Sequence, residues 1–219
     1  MLTAIIVKVS LSQIPYIPMF MEAPTRKGFF DHSEYLNLLV ALLDHLQPVL
    51  MFGYSVGWRK EEILNLTWDR VDLMVGTVRI EPGDTKNEEA RTVYLDDELK
   101  ALFRKQSAKR PVGCPLVFHR QGKKIKYFRK SWKSACEKAG LVDKIFHDLR
   151  RTAVRNMVRA GITERVAMKI AGFKDRSVFD RYNIVSPDDQ RRAAEQLVVY
   201  LGTIHAQGEF KDFGEAANA

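Results

Sequence analysis

Apolar residues recur at helical spacing in the first part of the chain that shows a regular pattern. They fall every three or four positions between Tyr35 and Leu46. Just before them, Asp31 is followed three positions later by Glu34. Such a pair caps a helix start, because each side chain can accept a hydrogen bond from the other residue's backbone N–H. The pattern predicts a helix from about residue 31 to Leu46.

The same spacing, with helix-start and helix-stop residues at its ends, predicts eight further helices. Pro48 opens the first of them and Gly57 ends it, since proline suits the first helical turn and glycine suits the position after the last. Pro187 stands likewise at the first position of the final helix. The predicted helices cover residues 48–56, 60–66, 97–107, 126–139, 147–160, 164–171, 176–182 and 187–202.

After the third helix the apolar period changes to alternation, which is typical of strands. Thr77–Ile80 and Arg91–Leu95 are rich in β-branched residues and flank a turn-rich stretch at 82–87. Val117–His119, followed by the turn residues Gln121-Gly122, predicts another short strand. The sequence therefore predicts an α+β fold, mostly helical, with a small antiparallel β-sheet inserted near the N-terminal third.

The pattern divides the chain into one domain with two appendages. Residues 1–28 contain prolines but no helical period, so we interpret them as an N-terminal leader or linker. Residues 29–203 carry the predicted elements and form the folded domain. Residues 204–219 are expected to be a flexible C-terminal tail.

Composition and charge narrow the class of protein. Of the 219 residues, 46% are apolar, which suffices for one well-packed core. The net charge of +8 suits a polyanionic partner such as DNA, RNA or an anionic membrane face. Cys114 and Cys136 form neither a metal-ligand pattern nor a disulfide framework, and no apolar run reaches the roughly 20 residues that cross a bilayer. We expect a soluble cytoplasmic protein that uses no metal or cofactor.

Arg59 follows directly on a helix that ends at Gly57 and stands at the start of the next helix. A guanidinium beside the free N–H groups of a helix start can bind a phosphate oxygen, although such an arginine is most often a solvated surface residue. Glu62 lies three positions further on. It either orients Arg59 or forms a surface ion pair with it.

His147 and Arg150 share one face at the start of a predicted helix, where both can address the same anion. Arg151 is expected to point elsewhere. The alternative interpretation is a capping histidine at a solvated basic helix end. For this short segment alone, the second interpretation is favoured.

Lys86 and Tyr182 could each serve in catalysis. Lys86 sits at the tip of the predicted β-turn, either as an exposed loop lysine or as a mobile general acid. Tyr182 is either a nucleophile or part of an apolar helix face together with Val178 and Phe179. For an isolated tyrosine the second interpretation is favoured.

Taken together, in order, spacing and context, these residues resemble the catalytic domain of the tyrosine recombinase (phage integrase) family. The resemblance covers roughly residues 29–201. Its motifs are Gly57-x-Arg59-x-x-Glu62 with Leu66-x-Trp68 beyond it, Lys86 in the hairpin, His147-x-x-Arg150, the Ala171-Gly172 turn, and Arg181-Tyr182.

The resemblance implies the family's fold and a role for each matching residue. Arg59 and Arg150 would clamp the non-bridging oxygens of the scissile phosphate. Lys86 would protonate the leaving 5′-oxygen, and His147 would assist proton transfer at the nucleophile. Tyr182 would form a 3′-phosphotyrosine link to DNA, which a 5′-hydroxyl can reseal without ATP or metal.

One departure from the family pattern concerns Phe173, which stands where members usually carry His or Trp. Phe keeps the aromatic ring but lacks a donor to the phosphate, and the loss of one such donor slows reactions by roughly a hundred- to a thousand-fold. The leading hypothesis is therefore a site-specific DNA recombinase whose activity Phe173 would attenuate. The alternatives are a weak or inactive DNA-binding remnant, and a nicking and resealing activity like that of type IB topoisomerases.

A second departure lies before the domain. Full-length relatives place a core-binding domain ahead of the catalytic one, whereas about 28 residues precede it here. Two interpretations stay open: a shortened chain, or a stand-alone catalytic domain with weakened affinity for DNA.

Two surface features bear on the expected partners, double-stranded DNA and further copies of this chain. Basic residues cluster between the sheet and the His147 helix and are expected to contact phosphates rather than form a merely solvated face. The strongest candidates are Lys123, Lys124, Lys126, Arg129 and Lys130.

The final helix carries an apolar stripe that either packs on its own domain or, as the resemblance implies, docks on a neighbour in a tetramer. The stripe consists of Ala193, Ala194, Leu197, Val198 and Leu201.

Overall fold

The computed structural model describes residues 28–81, 90–183, 185 and 187–206. Within these residues it contains nine α-helices and five short strands, so the α+β prediction is confirmed. The helices are α1 His32–Ala41, α2 Gln47–Val56, α3 Lys60–Leu64, α4 Asp97–Ala108, α5 Arg129–Lys138, α6 Asp148–Arg159, α7 Glu164–Ala171, α8 Arg176–Asp180 and α9 Pro187–Ala206. The strands are β1 Val71–Asp72, β2 Thr77–Ile80, β3 Arg91–Tyr94, β4 His119–Arg120 and β5 Lys123–Lys124.

The strands form two antiparallel sheets. β2 lies between β1 and β3, with Val78 paired to Val71 on one side and to Val93 on the other. The two-residue strand β1 was not predicted, because a strand this short shows no alternation. The second sheet pairs β4 with β5 across the expected turn at Gln121-Gly122. Its first strand begins at His119, so the strand predicted at 117–119 is displaced toward the turn.

Several helix ends differ from the prediction. α1 ends at Ala41, because the backbone of Leu42 is extended, with ψ at 150°. The following turn keeps both Leu42 and Leu46 buried, so the apolar spacing continues although the helix does not. α5 begins at Arg129 rather than 126. α9 continues to Ala206, so the first three residues of the predicted tail are helical.

Two hydrophobic clusters meet along α6. The larger cluster contains side chains from all five helices α1, α2, α3, α4 and α5 and from the three-stranded sheet. It also includes Leu149 of α6. The smaller one holds Ala153 of α6 together with Phe173 and Phe179. Because the two clusters lie on successive turns of one helix, the start of α6 is fixed from both sides. His147 and Arg150 lie at that start.

Gly57 lets the end of α2 approach α6 closely. Its φ of 68° is left-handed, as expected for a glycine after the last helical residue. A Cβ at this position would also lie 2.9 Å from the Cβ of Ala153. Both requirements exclude larger residues, and the backbone that leads to Arg59 therefore passes directly beside α6.

Candidate active site

Tyr182 lies in the turn that follows α8, with its side chain directed at the start of α6. The backbone N–H of Tyr182 donates to the carbonyl of Phe179 at 2.7 Å, and the Phe179 ring is fully buried. These contacts anchor the turn. The phenolic Oη of Tyr182 is 2.7 Å from Nε2 of His147, a hydrogen-bonding distance. The structure thus joins two predicted site residues that are 35 positions apart in sequence.

His147 is the residue before the first turn of α6, and three arginine charges act on its partly exposed ring. Burial lowers its pKa below the ordinary value, and the charges of Arg150 and Arg151 lower it further, whereas Asp148 opposes them. The imidazole is therefore neutral at neutral pH and able to accept a proton at one nitrogen.

Arg150 is buried and bonded to the backbone of two neighbouring segments. Its Nη1 donates to the carbonyl of Gly57 at 2.7 Å and to that of Ala171, and its Nη2 donates to that of Gly172 at 3.2 Å. These contacts use three of the five guanidinium N–H donors. Among the described residues no partner is seen for the other two, on Nε and Nη2, which could bind an anion.

Burial and the charge of Arg59 lower the pKa of Arg150 to about 9, while Glu62 and Tyr182 act in the opposite direction. Arg150 therefore remains a cation at neutral pH.

Arg59 begins α3 and is held by Glu62. The backbone N–H and Nη1 of Arg59 donate to the two carboxylate oxygens of Glu62, at 2.8 and 2.9 Å. The side chain of Glu62 is only 5% exposed, whereas that of Arg59 is 39% exposed. Glu62 is thus a buried partner of Arg59 and does not form a surface pair, and the arginine keeps access to solvent.

Arg91 on β3 is the other partner of Glu62 and was not predicted as a site residue. It forms an ion pair with Glu62, and both side chains are buried. Its guanidinium also lies 4.9 Å from the ring centre of Trp58. The alternation of β3 could have pointed to it, because that alternation places an arginine on the buried face of the strand.

Gly172 follows α7 and allows Arg91 to approach the turn before Phe173. Its φ of 76° is left-handed, and a Cβ at this position would lie 1.8 Å from Nη1 of Arg91. The carbonyl of Gly172 in turn accepts from Arg150. One turn therefore contacts both buried arginines.

Phe173 lies where the arginine and the tyrosine meet. The Cζ of Arg150 is 3.8 Å from the centre of the Phe173 ring, and the ring stands edge-on to Tyr182 at 4.9 Å. The ring is 7% exposed. Phe173 thus packs against two site residues and offers neither of them a hydrogen bond.

Arg151 does not point away from the site, contrary to the expectation from helical spacing. Its Cζ is 5.3 Å from the ring centre of Tyr182, and its side chain is buried. The reason is that Tyr182 reaches α6 from a separate turn, so its ring contacts more than one position of the helix.

The other predicted residues are distributed as follows. Lys86 lies outside the described residues, as do residues 1–27 and 207–219. The basic residues proposed to bind DNA are all exposed, around the buried side chains of Ile125 and Phe128. They are Lys123, Lys124, Lys126, Arg129 and Lys130.

Within the described part of the chain, no group of His, Cys, Asp and Glu side chains could hold a metal ion. None of the described helices combines the length and the apolarity needed to span a bilayer.

The chain is similar to known DNA integrases and recombinases. Over 209 residues the chain is 27% identical to the integrase of Salmonella phage P22, covering 88% of this chain and 53% of that protein. Over 173 residues it is 26% identical to the shufflon-specific DNA recombinase of Escherichia coli, covering 74% and 40%. The chain thus spans about half the length of the curated relatives it matches.

Solved structures establish the same fold. The crystal structure of XerA recombinase superimposes with a TM-score of 0.66 at 19% identity, over 77% of this chain and 64% of that one. The model of the phage integrase family matches residues 28–188, a range that includes Arg59, His147, Arg150 and Tyr182. With its fold and most of its length matched, the chain belongs to the phage integrase family.

Proposed function

We propose that this chain is a site-specific DNA recombinase that cleaves and rejoins strands through a 3′-phosphotyrosine intermediate. The observation that carries the proposal is the 2.7 Å contact between the Tyr182 hydroxyl and His147, with the buried Arg150 beside them. A phenol needs a base to become a nucleophile, and a neutral imidazole at hydrogen-bonding distance supplies one.

Cleavage then proceeds by transesterification. Tyr182 Oη attacks the scissile phosphorus and gives its proton to His147, while the bond between phosphorus and the 5′-oxygen breaks. Lys86 donates a proton to that oxygen, which leaves as a hydroxyl. A 5′-hydroxyl from another strand attacks the phosphotyrosine in the reverse sense, restores the phosphodiester and releases Tyr182. The number of phosphate ester bonds is the same before and after, so no ATP is consumed.

The two arginines are suited to stabilise the phosphate during this exchange. Arg150 keeps two N–H donors beyond its three carbonyl contacts, and those contacts fix the guanidinium plane in advance. Arg59 approaches from α3 and is oriented by Glu62. Donors that need no rearrangement stabilise developing negative charge more than flexible ones do.

Phe173 supports an attenuated form of this activity. The ring occupies the position between Arg150 and Tyr182 without adding a donor to the phosphate. The same observation favours a second candidate, a DNA-binding remnant of an integrase that cleaves weakly or not at all.

Double-stranded DNA is the proposed substrate. Relatives with the same fold include the Tn1549 transposon integrase, whose structure was solved in complex with circular intermediate DNA. In this chain, the exposed lysines and arginines around β5 and α5 are proposed to contact phosphates. The exposed apolar side chains of α9 are proposed to dock on a second copy, so that several copies assemble on the DNA.

The proposal is tested with a nicked suicide substrate, in which the cleaved strand diffuses away and the covalent adduct accumulates. The wild-type chain should give a protein–DNA band that survives denaturation. Tyr182→Phe should abolish the band and leave DNA affinity unchanged, because only the attacking oxygen is removed. Tyr54→Phe is the matched control, since it removes another tyrosine hydroxyl that faces a histidine, at 3.4 Å from His32.

An adduct that survives Tyr182→Phe would refute the assignment of the nucleophile. DNA binding without any adduct from the wild-type chain would favour the remnant. Nicking and resealing without exchange between two duplexes would indicate an activity like that of type IB topoisomerases.

A further inference from the structure

Arg151 is a buried cation beneath the proposed nucleophile. The centre of the Tyr182 ring is 5.3 Å from Cζ of Arg151 and 5.9 Å from Cζ of Arg150. On its other side, Nη1 of Arg151 donates to Oδ1 of Asp148 at 3.2 Å. Asp148 is completely buried and also accepts from the backbone N–H of Ile145 at 3.0 Å. Arg151 is therefore fixed between a buried carboxylate and an aromatic ring.

Burying the charge of Arg151 is unfavourable for the stability of the folded protein. Burying an ion pair often stabilises a protein less than apolar side chains of the same size would. In addition, the Nε of Arg151 is buried and finds no hydrogen-bond partner among the described residues. Because packing alone is better served by an apolar residue, a buried arginine here indicates a use for its charge.

We infer that Arg151 is a positioning residue for strand cleavage, which holds the Tyr182 ring by a cation–π contact and maintains positive potential at the His147–Tyr182 pair. The inference rests on the proposed function. As Tyr182 loses its proton, negative charge spreads into the ring. A cation over the ring face then interacts more strongly than it did with the neutral phenol, so it favours the transition state over the ground state.

The charges that face His147 determine how this can be measured. From α6 itself these are Arg150, Arg151 and Asp148; from α3 it is Arg59, and after α8 the hydroxyl of Tyr182. The charge of Arg151 lowers the pKa of His147. Removing that charge should therefore raise the pKa of His147 toward its ordinary value. Because only neutral His147 can accept the proton, the acid limb of the cleavage rate should move to higher pH.

The experiment compares Arg151→Met with Arg151→Lys in single-turnover cleavage of the suicide substrate across pH. We expect Arg151→Met to slow cleavage about tenfold and to shift the acid limb to higher pH. Arg151→Lys keeps the charge, so it should leave the limb in place. Arg155→Met is the matched control, because Arg155 lies one turn further along α6 and contacts Phe30 and Asp31 instead of the site.

A second readout does not depend on activity. Titration of the histidine ring signals by NMR should show a higher pKa for His147 in Arg151→Met than in the wild-type chain. His32, which lies outside the site, serves as the internal reference. If the wild-type chain forms no adduct but the NMR shift is present, the proposed recombinase function fails while the electrostatic role of Arg151 stands.

Loss of Arg151 leaves Asp148 buried without this partner, so the single variant can unfold for that reason alone. Asp148→Asn/Arg151→Met removes both charges and keeps similar side-chain shapes. Because Asp148 and Arg151 act on the pKa of His147 in opposite directions, the double variant is judged by its cleavage rate and the acid limb is judged in Arg151→Met. A folded Arg151→Met chain with wild-type cleavage and an unmoved acid limb would overturn the inference, and so would a folded double variant that cleaves at the wild-type rate. So would slower cleavage at every pH with no shift of the limb or of His147, and so would failure of both variants to fold, because each result assigns Arg151 to stability alone.

Discussion

The candidate active site and the C-terminal helix differ in how extensively they contact the rest of the molecule. The site residues on α6 and around α8 lie against two hydrophobic clusters and bond to backbone and side chains of distant segments. By contrast, α9 is tied near its start by an ion pair between Arg159 and Asp189, at 2.7 Å. Further along, its apolar side chains are exposed, with Val198 at 71% and Tyr200 at 63%.

The difference separates contacts that form within one chain from an apolar surface that is exposed on it. The geometry of Tyr182, His147 and Arg150 results from contacts within the described part of one chain. The apolar side of α9, which was open to two interpretations from the sequence, is exposed as far as the described residues show. Three substitutions test the two halves of this comparison.

The largest effect is expected at Arg91, which pairs with Glu62 inside the packed region. Arg91→Met should lower the free energy of unfolding by about 3 kcal/mol, because it leaves the Glu62 carboxylate buried without this ion pair. Urea unfolding measures the loss. The double variant Glu62→Gln/Arg91→Met should recover part of it, since the buried carboxylate charge is also removed. Arg79→Met, at an exposed position of the neighbouring strand, should change stability by less than about 0.5 kcal/mol.

A smaller effect is expected at Phe173. Phe173→His should increase the rate of adduct formation about tenfold, because an imidazole in the same turn can donate to the phosphate beside Arg150. Single-turnover cleavage of the suicide substrate measures the change. Phe128→His is the control, because Phe128 is equally buried but lies at the start of α5. A stable Phe173→His variant that is no faster would show either that position 173 does not face the phosphate or that the site is defective for another reason.

The smallest effect on stability is expected in α9. Leu197 is 55% exposed, so Leu197→Gln should change the free energy of unfolding by less than about 0.5 kcal/mol. Leu50→Gln in the core should cost several times more. If α9 docks on a second copy, Leu197→Gln should still cleave a single site at the wild-type rate but exchange strands between two sites less efficiently. Equal exchange by both proteins would remove α9 from the proposed assembly.

Much of this arrangement could be predicted from the sequence, because it is encoded locally. The capping pair Asp31 and Glu34, the left-handed Gly57 and the proline at the start of α9 all lie where the pattern places them. The motif residues Arg59, His147, Arg150 and Tyr182 also meet in space.

Contacts between distant segments could not be predicted. Arg91 and Glu62 are 29 positions apart, and no local pattern relates a strand residue to the first turn of an earlier helix. Arg151 was misplaced for the same reason: helical spacing describes α6 alone, whereas the position of Tyr182 depends on how the turn after α8 packs. Lys86 remains a prediction.

The close approach of Gly57 to Ala153 restricts the substitutions that these two positions can accept. The backbone at Gly57 and the guanidinium of Arg150 are joined directly by a hydrogen bond of 2.7 Å, and a Cβ at position 57 would meet the methyl group of Ala153. A larger side chain at position 57 or 153 is therefore expected to push the segment that leads to Arg59 away from Arg150.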